Sequence, residues 1–146
     1  MKAVVQRVKK AQVFIKNKLY SETGKGFLVF LGIGVNDTEK EVDWLAKKIT
    51  NLRIMSDEDN KMNKSLKETG GQMLIVSQFT LYGDCRKGMR PSFIKAASPE
   101  KGERFYNLFC EKVKSYGLET KSGKFGAMMD IKLINDGPVT IIISTK

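Results

Sequence analysis

Two short segments place polar side chains in stretches that are otherwise typical of buried strands, and they are the first candidates for chemistry. One is Ser77-Gln78-Phe79-Thr80, at the end of the apolar run 72–80, and the other is Asn135-Asp136-Gly137-Pro138 near the C-terminus. Polar groups removed from water need hydrogen-bond partners or a purpose. The chain has no histidine, so any reaction must proceed without an imidazole base or ligand.

The first segment offers two kinds of hydrogen-bonding group. In an extended strand Ser77 and Phe79 point to one face and Gln78 and Thr80 to the other, which brings an amide and a hydroxyl together. The end of a strand also frees backbone N–H groups, and two such donors aimed at one point can hold a developing oxyanion. The alternative is a strand end whose side chains only bond neighbouring backbone groups, and the residues alone favour it.

The second segment has the residues of a tight turn. Glycine tolerates unusual dihedral angles and proline lacks an N–H, so Gly137-Pro138 predicts a C-terminal hairpin between strands at 124–134 and 139–145. The functional alternative is a rigid loop whose carbonyl groups face a ligand.

The elements around these segments follow from periodicity and capping. Thr38 and Glu41 form a capping box before apolar residues at helical spacing, and Ser98-Pro99 starts a second helix that continues to Gly117. Strands are predicted at 2–8, 11–16, 19–23, 26–34, 52–55 and 72–80, in addition to the C-terminal pair.

The alternation of strands and helices predicts an α/β fold. We expect a layered β/β/α sandwich with curved, barrel-like sheets, sheet packed on sheet, and helices covering one face. An all-β barrel is the alternative. At 146 residues with no linker-like stretch, residues 1–146 are expected to form a single domain.

Composition limits the partners. A formal charge of +10 favours a polyanion such as nucleic acid, although surface lysines also serve solubility alone. Cys85 and Cys110 lack zinc-site spacing, so no metal or cofactor is expected and the thiols should be free. No apolar leader or run long enough to cross a membrane is present, which predicts a cytoplasmic protein with no membrane partner.

Six collinear motifs, taken together, resemble the D-aminoacyl-tRNA deacylase family. They are Ala3-Val4-Val5-Gln6-Arg7-Val8, Lys61-Met62-Asn63, Val76-Ser77-Gln78-Phe79-Thr80-Leu81, Gly88-Met89-Arg90-Pro91-Ser92-Phe93, Gly123-Lys124-Phe125-Gly126-Ala127-Met128-Met129 and Asn135-Asp136-Gly137-Pro138-Val139-Thr140. The resemblance implies a homodimeric hydrolase that cleaves the ester joining a D-amino acid, or achiral glycine, to the 3′ end of tRNA. Such activity proofreads translation and recycles tRNA.

The resemblance also implies roles for particular residues. Ser77, Gln78, Phe79 and Thr80 would form the catalytic wall, with the backbone amides of Phe79 and Thr80 holding the ester oxygen. Gly137 and Pro138, joined by a cis bond, would reach into the partner's active site and reject L-amino acids. The remaining substrate-binding residues would be Phe125 and Met129 at the adenosine, with Arg7 supporting the Gly-Pro segment.

No side chain is an obvious base for Thr80, so the resemblance favours attack by water assisted by the tRNA 2′-hydroxyl. Met128 stands where relatives can carry an acidic residue. Two rival hypotheses remain: a sister deacylase that removes L-alanine, with a trans Gly-Pro bond, and a noncatalytic basic RNA-binding module.

Overall fold

The structure, a computed structural model, describes residues 1–145 and contains eight strands, two α-helices and one 3-10 turn. The strands are β1 Lys2–Ile15, β2 Lys18–Thr23, β3 Gly26–Gly32, β4 Met55–Ser56, β5 Met62–Lys64, β6 Gln72–Ser77, β7 Glu119–Ser122 and β8 Asp130–Ser144. The helices are α1 Glu39–Thr50 and α2 Pro99–Ser115, and the 3-10 turn is Phe79–Tyr82.

The long strand β1 organises the main sheet. Along one edge, its first half pairs with β3 and its second half with β2, while β8 follows the other edge from end to end, all antiparallel. Strands β3, β6 and β7 continue the sheet in parallel. The Ser21 hydroxyl on β2 donates to the Ser122 carbonyl on β7 at 2.9 Å, so the sheet curves until its ends nearly meet.

The apolar residues form two cores, one on each face of the curved sheet. Both helices pack on one face, where Phe109, Leu45 and Phe27 are fully buried. The inside of the curve holds the second cluster, which includes Val13 and Leu74. The predicted fold class, a layered α/β sandwich with barrel-like sheets, is confirmed.

Both predicted helix starts are confirmed. Thr38 and Glu41 form the full capping box of α1, and Ser98 accepts a hydrogen bond from the Lys101 N–H at the start of α2, with Pro99 in the first turn. These local hydrogen bonds satisfy N–H groups that the first turn of a helix leaves without partners.

The predicted C-terminal hairpin is wrong. Residues on both sides of Gly137-Pro138 belong to one strand, β8, and pair with β1 rather than with each other. Asn135 lies opposite Val8 and Thr140 opposite Gln6, so residues 136–139 bulge outward opposite Arg7 alone. The Asn135 side chain accepts from the Val139 N–H at 2.8 Å. This side chain gives a backbone N–H of the bulge an acceptor, whereas in a hairpin the acceptor would be a carbonyl of the paired strand.

Several strand boundaries also differ from the predictions, including 26–34, which ends at Gly32, and 124–134, which begins at Asp130. Residues 2–8 and 11–16 form the single strand β1, and the 52–55 strand is the two-residue β4. The strand predicted over 72–80 ends at Ser77, since Phe79–Tyr82 winds into a 3-10 turn. Apolar composition alone does not distinguish the two conformations.

Replacing Phe109 should show how much the helix layer stabilises the sheet. Phe109 is fully buried, so Phe109→Ala should lower the free energy of unfolding by about 3–5 kcal/mol. Urea denaturation measures the change. The exposed Leu19 is the control, and Leu19→Ala should stay within about 0.5 kcal/mol of the parent. Equal losses in both variants would contradict this placement of the core.

Candidate active site

A cavity of about 620 Å³ lies where β3 and β6 end and α2 begins. Its base includes Leu31 and Val76 from the ends of those two parallel strands, and one wall is the start of α2 at Pro99 and Gly102. In α/β sheets ligands bind outside the carboxyl ends of parallel strands. The cavity is therefore the first place to look for a site.

The residues that line the cavity are all uncharged. Ser77, Gln78 and Ser98 supply the polar side chains, and the rest of the lining consists of apolar residues, glycines and Pro99. Catalysis by a side-chain acid or base needs such a group within hydrogen-bond reach of the reacting atoms. Backbone groups and neutral side chains are what this cavity offers a substrate.

The segment Ser77 to Thr80 borders the cavity at the end of β6. Ser77, Gln78 and Phe79 line it, and the Gln78 amide donates to the Thr80 hydroxyl. The predicted meeting of amide and hydroxyl is confirmed, although the 3-10 turn, not strand alternation, produces it. Thr80 itself lies outside the lining.

Two backbone donors at this point have no acceptor. The Gln78 N–H bonds the Leu31 carbonyl at 2.8 Å and the Leu81 N–H bonds the Gln78 carbonyl at 3.3 Å, but the N–H groups of Phe79 and Thr80 have no partner within residues 1–145. Unpaired backbone donors are uncommon away from water. Beside a cavity, they can bind a ligand oxygen.

An aromatic pair forms the rim. The ring of Phe79, which is 57% exposed, meets Phe93 edge to face with centroids 5.2 Å apart. Met128 is also exposed on the lining. A mouth of exposed apolar side chains suits the flat face of a nucleobase.

Phe125 and Met129 form the opposite wall. The Phe125 ring rests over α2 because Gly102 has no side chain: a Cβ there would lie 3.2 Å from the ring. The Tyr106 hydroxyl donates to the carbonyls of Ile75 at 2.8 Å and Gly123 at 3.3 Å. Burial raises the pKa of Tyr106 well above its ordinary value, so it stays a donor that ties the Phe125 segment to β6.

A second set of contacts braces the 3-10 turn from behind. The Lys2 ammonium donates to the Leu81 carbonyl at 3.1 Å and lies over the Tyr82 ring. The Tyr82 hydroxyl lies 3.3 Å from Asp37, whose carboxylate also binds the Met1 amino group at 2.6 Å. Tyr106, Tyr82 and Asp37 are not among the predicted site residues, because nothing in their local sequence marks these long-range contacts.

Arg7, Gly137 and Pro138 lie away from this cavity. Arg7 is opposite Phe27 at the start of β3, whereas the cavity begins at Leu31. Four residues of strand span about 13 Å. The structure therefore separates the predicted site residues of one chain into two groups at opposite ends of β3.

The Gly137-Pro138 bulge is held by the buried Arg7 side chain. The guanidinium donates to the Asp136 carbonyl at 2.9 Å and to the Ile54 carbonyl at 2.8 Å. Gly137 and Pro138 are exposed, and the peptide bond between them is cis. Gly137 has φ +142°, and a Cβ on it would lie 2.7 Å from the Val139 side chain, so only glycine suits this position.

Other features of the described residues bear on ligands. Within residues 1–145 no group of three or more Cys, Asp or Glu side chains is arranged to hold a metal ion, and no helix is long and apolar enough to cross a membrane. Cys85 and Cys110 are both free thiols. Burial raises the pKa of Cys110 to about 11, which keeps that thiol protonated and unreactive.

The fold defines a class of α/β proteins with solved members. A structure described as "c-Myc DNA Unwinding Element Binding Protein" superimposes with a TM-score of 0.94 at 43% identity and covers 100% of this chain and 99% of its own. A second, described as "Structural Analysis of a probable eukaryotic D-amino acid tRNA deacylase", has a TM-score of 0.86 at 18% identity over 97% of each chain. At that identity the second likeness shows the shared fold alone.

Sequence comparison identifies the family. Proteins named D-aminoacyl-tRNA deacylase from Desulfatibacillum aliphaticivorans and Desulfotalea psychrophila are 58% and 56% identical over 146 residues, covering this whole chain and 100% and 98% of their own. A family model described as D-Tyr-tRNA(Tyr) deacylase matches residues 4–144. The chain belongs to this family, which confirms the resemblance and the predicted enzyme class, a hydrolase acting on ester bonds.

Removing the Tyr106 hydroxyl should loosen the cavity wall. Tyr106→Phe leaves the Gly123 carbonyl without this buried donor, so we expect a loss of about 1–2 kcal/mol in unfolding free energy and lower hydrolytic activity. Thermal denaturation and turnover measure the two effects. Tyr20→Phe, at an exposed tyrosine, should change neither, and an unchanged Tyr106→Phe would contradict the tie between the Phe125 segment and β6.

Proposed function

We propose that the cavity binds the aminoacylated 3′ end of tRNA and hydrolyses the ester of D-amino acids. Family membership supports the substrate class. The observation that carries the mechanism is the pairing of a cavity without ionisable side chains with two unpartnered backbone N–H groups at its edge. The enzyme then supplies position and electrostatic stabilisation, and the substrate supplies its own hydroxyl.

The N–H groups of Phe79 and Thr80 bind the carbonyl oxygen of the ester. Negative charge grows on this oxygen as the tetrahedral intermediate forms, and fixed donors stabilise it without having to reorient. Removing one such donor in other hydrolases slows the reaction by on the order of 10²–10³-fold. Lys2, which bonds the Leu81 carbonyl, helps fix the turn that presents these donors.

Water is the nucleophile. Its oxygen bonds to the ester carbon, its proton passes to the 2′-oxygen of the terminal adenosine, and the 2′-hydroxyl proton moves to the departing 3′-oxygen. The carbon to 3′-oxygen bond then breaks, releasing the amino acid and tRNA. Thr80, whose hydroxyl accepts from Gln78, positions the substrate and forms no acyl-enzyme.

The chain acts as a homodimer in which Gly137 and Pro138 enter the partner's cavity. Their distance from the cavity of their own chain supports a role in the partner's cavity. Strand β8 supports a dimer as well, since among the described residues its outer edge has no paired strand and Ile134 and Ile142 are 56% and 75% exposed. Such an edge invites pairing with another chain.

Carbonyl groups of the Gly137-Pro138 segment leave no room for an L-side chain, so selection works by rejection. Achiral glycine escapes rejection, which extends the activity to glycyl-tRNA, including glycine mischarged on tRNA-Ala. Phe125 and Met129 shape the pocket for the terminal adenosine, and the basic loop from Arg86 to Arg90 contacts acceptor-stem phosphates. Because aminoacylated tRNA is used in translation, the enzyme acts in the cytoplasm.

Single-turnover deacylation tests the activity. Rapid loss of D-Tyr-tRNA with stable L-Tyr-tRNA and L-Ala-tRNA is the expected result, because only the D-ester escapes steric rejection. The assay spans a range of enzyme concentrations. Loss of L-Ala-tRNA would indicate the sister activity instead, and salt-sensitive tRNA binding with no turnover would indicate a noncatalytic RNA-binding protein.

Thr80→Val separates positioning from nucleophilic attack. The variant keeps the shape and removes the hydroxyl, so we expect single-turnover rates on D-Tyr-tRNA within about tenfold of the parent, whereas loss of a nucleophile costs on the order of 10⁴-fold or more. Rapid quenching and intact-protein mass spectrometry would detect an acyl-enzyme. A trapped acyl group on Thr80 in the parent would refute attack by water.

Gly137→Ala tests the screen between subunits. The added Cβ crowds Val139 and disfavours φ +142°, so the ratio of D-Tyr to L-Tyr deacylation should fall at least about tenfold. The control is Gly117→Ala, another glycine at positive φ but with open space around it. Light scattering should show dimers for both variants. A parent protein that is monomeric at micromolar concentration would remove the proposed site.

A further inference from the structure

We propose that a basic aromatic patch at the end of α1, made of Trp44, Lys47, Lys48 and Arg53, binds the tRNA whose aminoacyl end lies in the partner subunit's cavity. This inference rests on the proposed function and adds a second contact surface to it. The patch would hold the phosphate backbone with its cations and an unstacked base with its indole ring.

The patch is a shaped surface. It borders a hollow of about 560 Å³ that Asn51 and Leu52 complete. Trp44, the single tryptophan of the chain, is 48% exposed there, and the Lys48 ammonium lies 6.0 Å from its ring centroid. An indole left at the surface beside cations is the arrangement that stacks bases and tracks phosphates.

Charge favours a polyanion at this place. The acidic residues of α1 lie in its first half and already have partners: Glu39 pairs with Arg104, Asp43 with Lys112, and Glu41 with the Thr38 cap. Lys47 and Lys48, in the last turn, have no ion-pair partner among residues 1–145. Their charges remain available for phosphates.

Arg53 is held in place at the edge of the patch. Its guanidinium donates to the Asn63 carbonyl at 2.7 Å and to the Asn63 side chain. A guanidinium fixed in this way presents its remaining donors in one geometry, which suits the planar recognition of a phosphate.

The patch lies far from the cavity of its own chain. The ion pairs Glu39 to Arg104 and Asp43 to Lys112 show that α1 and α2 run in the same direction. The cavity is at the start of α2, whereas Lys47 and Lys48 lie a turn beyond the level of Lys112. At 1.5 Å per residue, these two places are about 20 Å apart.

The same patch lies on the side of the folded subunit that carries the Gly137-Pro138 bulge. Arg53 precedes Ile54, whose carbonyl accepts from Arg7 at 2.8 Å, and Arg7 also bonds the Asp136 carbonyl at 2.9 Å. One buried side chain thus joins the backbone next to the patch to the backbone of the bulge. A subunit that inserts Gly137-Pro138 into its partner's cavity brings the patch to the same side of that cavity.

Charge reversal tests the surface. Lys47→Glu/Lys48→Glu should lower kcat/KM for D-Tyr-tRNA at least tenfold, mainly through KM, and leave hydrolysis of D-tyrosyl-adenosine within twofold of the parent. Lys16→Glu/Lys18→Glu, with the same charge change on an exposed turn, should affect neither substrate. Trp44→Ala should weaken tRNA turnover and Trp44→Phe should restore it. Equal loss on both substrates, or no loss on tRNA, would overturn the assignment.

Mixed dimers test which cavity the patch serves. Co-expression with two tags yields dimers of one Lys47→Glu/Lys48→Glu subunit and one Gly137→Ala subunit. The Gly137→Ala segment enters the cavity of the subunit with the reversed patch, so this cavity alone hydrolyses L-Tyr-tRNA. The patch that the proposal assigns to this cavity is the intact patch of the Gly137→Ala subunit. We expect the mixed dimer to hydrolyse L-Tyr-tRNA at about half the rate of the Gly137→Ala homodimer.

Hydrolysis of L-Tyr-tRNA at least tenfold below that half would show that each patch serves its own cavity, and it would overturn the proposal. Failure of the proposed function is seen separately in the parent protein. If the parent hydrolyses neither D-Tyr-tRNA nor D-tyrosyl-adenosine, the proposed function is refuted before any variant is compared.

Discussion

The buried guanidinium of Arg7 is the interaction on which the functional architecture depends. It lies between the sheet and the segment before β4 and bonds the carbonyls of Ile54 and Asp136. A buried cation without partners is costly, so the two backbone segments are held where they satisfy it. The Asp136 carboxylate, 3.5 Å away, balances the charge. An exposed bulge of β8 is thereby fixed by a contact inside the protein, which gives a projecting segment the rigidity that the proposed steric selection requires.

Rigidity matters equally at the other end of β3, where the cavity offers no ionisable side chain. Chemistry by backbone N–H groups depends on where the backbone is held, since a main-chain donor has no rotamer to adjust. The 3-10 turn is fixed from one side by Lys2 and from another by Tyr82 and Asp37. Tyr106 fixes the facing wall. Residues with charged or polar tips thus act on this site from behind it, and the lining itself stays neutral.

Short-range features were predictable from the sequence and long-range ones were not. The capping box at Thr38 and the Ser98-Pro99 start depend on residues within one turn, and both helices begin as predicted. Gly137-Pro138 predicts a hairpin because a bulge uses the same residue types, and only the β1 register distinguishes the two. Ser77 to Phe79, Phe125 and Met129 came together at one cavity. Tyr106 and Asp37 were missed because their partners lie far away in sequence.

The separation of the two ends also explains the distribution of charge. A chain with a formal charge of +10 that binds a polyanion could place its cations at the reacting ester, where they would hold the substrate in place. Here the cavity lining is neutral, and a basic patch lies at the distant end of α1. In the proposed function, the affinity for phosphates is therefore set at a distance from the ester and does not affect its chemistry. This affinity is also the same for tRNA of any sequence, because every tRNA presents the same backbone. In the proposed function, selection between D- and L-esters is left to shape alone, in a place where no strong electrostatic attraction can override a steric clash.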